Sequence, residues 1–237
     1  MQLAGFNQAY RTVISESIAG SVEAPRYTLG GLSLEGSLPT RTWWGVTAGY
    51  IGQEVDRTVG AFTGYDSSVF PISPAYFADD TPQRLDYDEA SIELTLNQLV
   101  CEEFSIGATT RATRSELRTS FPELAGIAGF DWKDEATLYE VLMFGCWNSP
   151  TGLFARAEAN FFKQDLEDDP RSGMPPRDGD DFWHFNAFLG YRFNRNLSEV
   201  ALGVLNIGDQ DYRLSPLSPR GELERGRTAV LRCRFSF

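Results

Sequence analysis

Apolar and polar residues alternate with a period of two along almost the whole chain, while helical periodicity is scarce. The last segment shows it most cleanly. Ala229, Leu231, Cys233, Phe235 and Phe237 share one face, and Thr228, Val230, Arg232, Arg234 and Ser236 the other. In 183–193, Trp183, Phe185, Leu189, Tyr191 and Phe193 oppose His184, Asn186, Gly190 and Arg192. Similar alternation in 27–36, 41–53, 85–98, 103–117, 134–147, 152–164 and 197–207, with a weaker case in 9–18, predicts an all-β antiparallel meander of about ten strands. One face is usually apolar and the other small or hydrogen-bonding: Ile92, Leu94 and Leu96 oppose Ser91, Glu93, Thr95 and Asn97. A dry sandwich core built from the second set would strand polar groups. A wet or network-filled interior with the apolar face turned to lipid fits better, so the chain reads as one domain, 1–237, forming an outer-membrane-type β-barrel, complete or as the C-terminal part of a larger one.

Connection lengths point the same way. Short ones fall near 37–40, 99–102, 148–151 and 194–196, and long ones near 19–26, 54–84, 118–133, 165–180 and 208–226. Every short connection lies on the side of Phe237, as expected for periplasmic turns opposite longer external loops. Trp43, Trp44, Trp147, Trp183 and Tyr191 lie near strand ends, where an aromatic girdle sits.

Segment 134–147 offers two apolar sets: Tyr139, Val141, Met143, Gly145 and Trp147, or Leu138, Leu142, Phe144 and Cys146. The acid of Glu140 places the second set inward. An apolar patch there is unusual for an open pore and suggests packing against another part of a longer protein. The inward charges are Glu35, Glu93, Arg111, Arg156, Glu158, Arg192, Glu199, Arg232 and Arg234. Each would be costly against lipid, whereas both signs facing a lumen can pair across strands. Such a network plugs much of a ten-stranded interior; a narrow path or ligand-contact wall is the sharper alternative.

Composition narrows the function. The chain has 237 residues and a formal charge of -12, which argues against nucleic acid as a partner. Much of the acid falls at loop positions, namely Asp165, Glu167, Asp168, Asp169, Asp178, Asp180 and Asp181, a solvated rim in the simplest reading and a divalent-cation surface in a sharper one. Cys101, Cys146 and Cys233 have no metal-ligand spacing and form no complete disulfide framework. Gly-x-Ser-x-Gly, phosphate-loop and His-Glu-x-x-His patterns are absent, and His184 is the single histidine. No catalytic chemistry, metal or cofactor is expected. The loop segment Phe70–Tyr76 reads as a proline-stiffened tip or an aromatic recognition surface. The first residues carry no positive n-region or apolar h-region, so an exported chain would be seen here as mature or excised sequence.

The segments Asp181–Phe193, Glu199–Leu214 and Arg225–Phe237 resemble the final strands of TonB-dependent outer-membrane receptors. Asn206-Ile-Gly-Asp209-Gln-Asp-Tyr212 matches that family's Asn-(Leu/Ile)-x-Asp-x-x-Tyr end of a penultimate strand. The resemblance implies that the aromatic close, Phe235 and Phe237, is read by the outer-membrane assembly machinery. The chain is also similar to barrel regions of tetratricopeptide-repeat outer-membrane proteins, on Phe6–Glu16 and Ser91–Val100. No plug-sized region precedes the strands, so active uptake is not carried over. The expected role is a membrane anchor, or a limited passage or receptor-like component of the bacterial outer membrane. Its partners would be outer-membrane lipid, the assembly machinery and a periplasmic N-terminal region. A soluble β-rich ligand-binding domain and a barrel hydrolase using His184 are the alternatives.

Overall fold

A computed structural model describes residues 26–65, 75–124, 131–168, 179–193, 198–212 and 226–235. They form one antiparallel sheet of nine strands in sequence order: β1 (Arg26–Leu38), β2 (Thr42–Tyr65), β3 (Ala75–Leu99), β4 (Phe104–Ser120), β5 (Trp132–Asn148), β6 (Leu153–Asp168), β7 (Asp180–Phe193), β8 (Ser198–Leu205) and β9 (Thr228–Phe235). The all-β meander read from the sequence is therefore present, and these strands overlie nine of its segments. The candidate strand at 9–18 and most of Phe70–Tyr76 lie outside the described residues.

The connections sort as expected, with one correction. Much of 54–84 is not loop: β2 runs on to Tyr65 and β3 begins at Ala75, in unbroken register from Tyr65↔Ala75 to Thr42↔Gln98. Alternation persists through this stretch, with Val55, Thr81 and Gln83 buried, but its outward positions are polar or charged, as at Glu54, Asp56 and Arg84, which removes the apolar stripe that marks a strand. The other end turns tightly. Arg41 (φ 59°) closes the β1–β2 turn with its N–H on the Leu38 carbonyl at 3.1 Å. Gly152 (φ 97°) closes the β5–β6 turn, where a Cβ would stand 2.3 Å from the Arg192 carbonyl oxygen.

One face is buried although no second sheet packs on it among the described residues: Tyr87, Leu117, Leu138, Phe162 and Phe182 are enclosed together with Ser115, Asn160 and Asn186. On this inner face three glycines stand opposite phenylalanines and allow close approach. Gly107 faces Phe144, Gly190 faces Phe154 and Gly203 faces Phe188. At each, a Cβ would meet the ring at 2.3–2.4 Å, so the ring lies flat on bare backbone.

Gly190 is the most constrained, because the Val200 carbonyl oxygen also lies 2.8 Å from its Cβ position. Gly190→Ala is expected to destabilise the fold by about 1–3 kcal/mol, the usual cost of overpacking, measured as a lower urea midpoint at unchanged slope. Gly30→Ala, with nothing within 4 Å of its Cβ, leaves the midpoint in place.

Candidate functional site: a charged inner wall and an apolar outer band

The register decides which inward charges meet. Glu93 on β3, Arg111 on β4 and Glu140 on β5 stand directly opposite one another across three strands. Arg111 Nη2 donates to Glu93, while its Nη1 lies 3.9 Å from Glu140. On β6, Arg156 Nε donates to Glu158 at 2.7 Å, and Glu158 also accepts from Asn186 Nδ2 at 3.0 Å. At the short-turn end Arg192 on β7 faces Glu199 on β8. Arg192 Nε donates to Glu199 Oε2 at 2.9 Å and Nη1 to Asn148 Oδ1 at 2.6 Å, while Arg232 on β9 reaches Glu199 Oε1 at 2.5 Å. Seven of the nine inward charges thus fall into three separate clusters. Glu35 and Arg234, on the two outermost strands, are exposed and make no ion pair among the described residues.

The apolar inner patch has a local explanation. Leu138, Phe144 and Cys146 share the face of Glu140, as its acid implied. Phe144 lies on Gly107, and its free face is covered by the Arg156 guanidinium 4.6 Å from the ring centre. Phe154 repeats the arrangement between Gly190 and Arg192, at 4.2 Å. Each ring thereby holds a cation in place. These stacks require pairing across strands, and sequence alternation alone did not reveal them.

The Asn206–Tyr212 motif follows the penultimate strand and has a structural role. Asn206 (φ 50°) ends β8: its N–H donates to Asn186 Oδ1 at 3.0 Å and its side chain brackets Gln210 through two bonds of 2.9 Å. Asp209 Oδ1 accepts from the Arg227 N–H at 2.6 Å, just before β9. Tyr212 stacks on Phe182 with centroids 4.9 Å apart and stands edge-on to His184 at 5.8 Å, so the lone histidine sits buried among aromatic rings.

The outer face divides in two along the strands. Towards the short turns it is apolar and exposed: Leu32, Leu34, Ile92, Leu94, Met143, Leu189, Leu202 and Leu231. Aromatic residues edge this zone, with Trp147, Tyr191 and Phe193 at one border and Tyr50, Tyr139, Phe161 and Trp183 at the other. Trp44 covers Gly36, and Trp43 departs from the expected girdle by pairing with Asn97 on the inner face. Beyond the second border every outer strand segment from β2 to β7 turns charged.

That boundary does not follow the hydrogen-bonded rungs. The first outer charge is Glu54 on β2, Asp88 on β3, Arg114 on β4, Lys163 on β6 and Asp181 on β7. Traced through the register, it falls by six residues between β2 and β7, with Glu135 on β5 standing above the trend. With about 3.4 Å per residue and about 4.8 Å between strands, a level boundary then requires strands inclined by about 40°.

Above the boundary the charges pair. Lys133 Nζ lies 2.8 Å from Glu116 and 2.5 Å from Glu135, and Arg114 lies 2.6 Å from Glu135. The Lys133 ammonium, then the Arg114 guanidinium, hold the Glu135 carboxyl below its ordinary range. The acids Asp165 and Glu167 read from the sequence as loop lie on this part of β6.

Two outcomes follow from the charge geometry. Glu199, 4% exposed at its side chain, separates two guanidinium groups. Glu199→Gln is expected to cost about 2–4 kcal/mol, read from urea unfolding, and Arg232→Gln added to it recovers part of that loss. Because Glu135 is depressed when folded, its contribution is complete above the unfolded value and disappears as pH falls through the folded one. Its carboxyl resonance is expected to titrate below a solvent-exposed glutamate, and Lys133→Gln to move the midpoint upward.

Comparison of the chain with protein-family models, with curated proteins and with solved structures gave no match.

Proposed function

We propose that this chain is the lipid-facing wall of a bacterial outer-membrane β-barrel, serving as an anchor or as a limited, receptor-like passage without catalytic chemistry. The oblique outer boundary carries the reading. Strands of membrane barrels tilt by about 35–45°, and the boundary levels at about 40° on the spacings above. The apolar outer run of β5, from Tyr139 to Trp147, is about 30 Å long at ~3.4 Å per residue; tilted, it spans about 23 Å, close to the ~25 Å apolar band of such barrels. Water would penalise this face, with Leu32, Leu202 and Leu231 at 76%, 66% and 66% exposure.

Strand parity supports closure by more chain. Among the described residues the sheet ends at β1 and β9. Both run from the long-connection end to the short-turn end and so point the same way. Antiparallel closure needs an odd number of further strands, and open edges in hydrocarbon cost several kcal/mol per unpaired group. The segment 9–18, read from the sequence as a tenth candidate, lies outside the described residues. The terminal segments that resemble TonB-dependent receptors fit a receptor-like wall. Outer-membrane lipid and the assembly machinery, reading Phe235 and Phe237, are the partners this reading requires.

The test is membrane fractionation of the full-length protein with a heat-modifiability gel. The barrel predicts an outer-membrane location and a band that shifts only on boiling. Leu94→Arg, at mid-band, destabilises the folded barrel by about 2–4 kcal/mol, whereas Thr95→Arg, turned inward, does so far less. A detergent-free monomer with no shift overturns the reading in favour of a soluble β-rich binding domain.

A further inference from the structure

The inner face holds a half-open cavity of about 410 Å³ against β1–β5. Its floor is a rung where side chains nearly vanish: Gly31, Gly49 and Ser91 stand opposite one another across β1, β2 and β3. Acids frame that rung. Glu93 and Glu140, with Arg111 between them, occupy the rung on one side, and Glu89 the rung on the other. Three carboxylates therefore face the space with one guanidinium.

Two of those acids are satisfied from within. Glu93 accepts from Arg111, and Glu89 accepts from the Tyr87 hydroxyl at 2.6 Å. Glu140 is not. Its side chain is 8% exposed and accepts no hydrogen bond among the described residues. Its nearest cation, Arg111 Nη1, is 3.9 Å away on a group already bonded to Glu93. Its carboxylate therefore keeps acceptor capacity on its open side, which is the cavity.

The shape selects the ligand class. Among the described residues no three acidic, histidine or cysteine side chains are placed to hold a metal ion. The wall also contains Leu29, Ile51 and Leu138, an aliphatic surface beside the acids. We propose that this cavity binds a small organic cation, an alkylammonium or alkylguanidinium, with Glu140 accepting its N–H groups and the aliphatic wall packing its chain. The inference rests on the inner face being a water-filled lumen, and it gives the limited passage a substrate class.

The probe is putrescine, compared with its uncharged counterpart 1,4-butanediol, in calorimetric titration of the folded full-length protein. Putrescine is expected to bind and butanediol to fail. Glu140→Gln weakens putrescine at least tenfold, and Gly49→Val, which fills the floor without changing charge, does the same. Absence of putrescine binding to the folded protein, or equal binding of the two probes, overturns the site whether or not either variant folds; so does undiminished binding in the folded variants. The outcomes separate this site from the barrel. Binding by a detergent-free soluble protein keeps the site and removes the membrane reading, while a heat-modifiable membrane protein that ignores putrescine removes the site alone.

Discussion

Register is the constraint on which the rest of this structure depends. In a one-layer sheet a slip of one residue would turn a strand's whole apolar set inward and its charges outward. The ladder from β1 to β9 places Glu93, Arg111 and Glu140 on one rung and Arg192 opposite Glu199. Two independent forces thus specify the same alignment: the apolar stripe fixes which face is which, and the charge pairs fix which residue meets which. Within the buried clusters the second force acts where solvent screening is weakest, because Glu140 and Glu199 are almost wholly enclosed.

Much of this was legible in the sequence. Period-two alternation located the nine described strands, the sorting of short and long connections gave the meander its two ends, and the acid of Glu140 oriented β5 correctly. What escaped had physical reasons. The upper ends of β2 and β3 carry Glu54, Asp56 and Arg84 outward, so they lack the apolar signature and looked like loop. The phenylalanine–glycine stacks join residues on different strands, which alternation within one strand cannot express. Glu89 and Asn148 gained their places in the inner wall only through the neighbours that register gave them.

The two faces divide the work. Outside, an apolar zone bordered by aromatic rings gives way to ion-paired charge along an inclined line. On the inner face, the Arg156–Glu158 and Arg192–Glu199–Arg232 clusters of β6–β9 neutralise most of their charge locally. The exception is the β1–β5 side, where small residues replace the plugging side chains and acid exceeds base.

The stacking of Phe144 between Gly107 and Arg156, and of Phe154 between Gly190 and Arg192, couples backbone to field. The position of each cation is set by a ring, and the height of the ring by the absence of a single methyl group. The interior potential can therefore be retuned by a neutral change at a glycine on another strand, with every charged residue left in the sequence. A comparison of related chains by charge alone would overlook such a change.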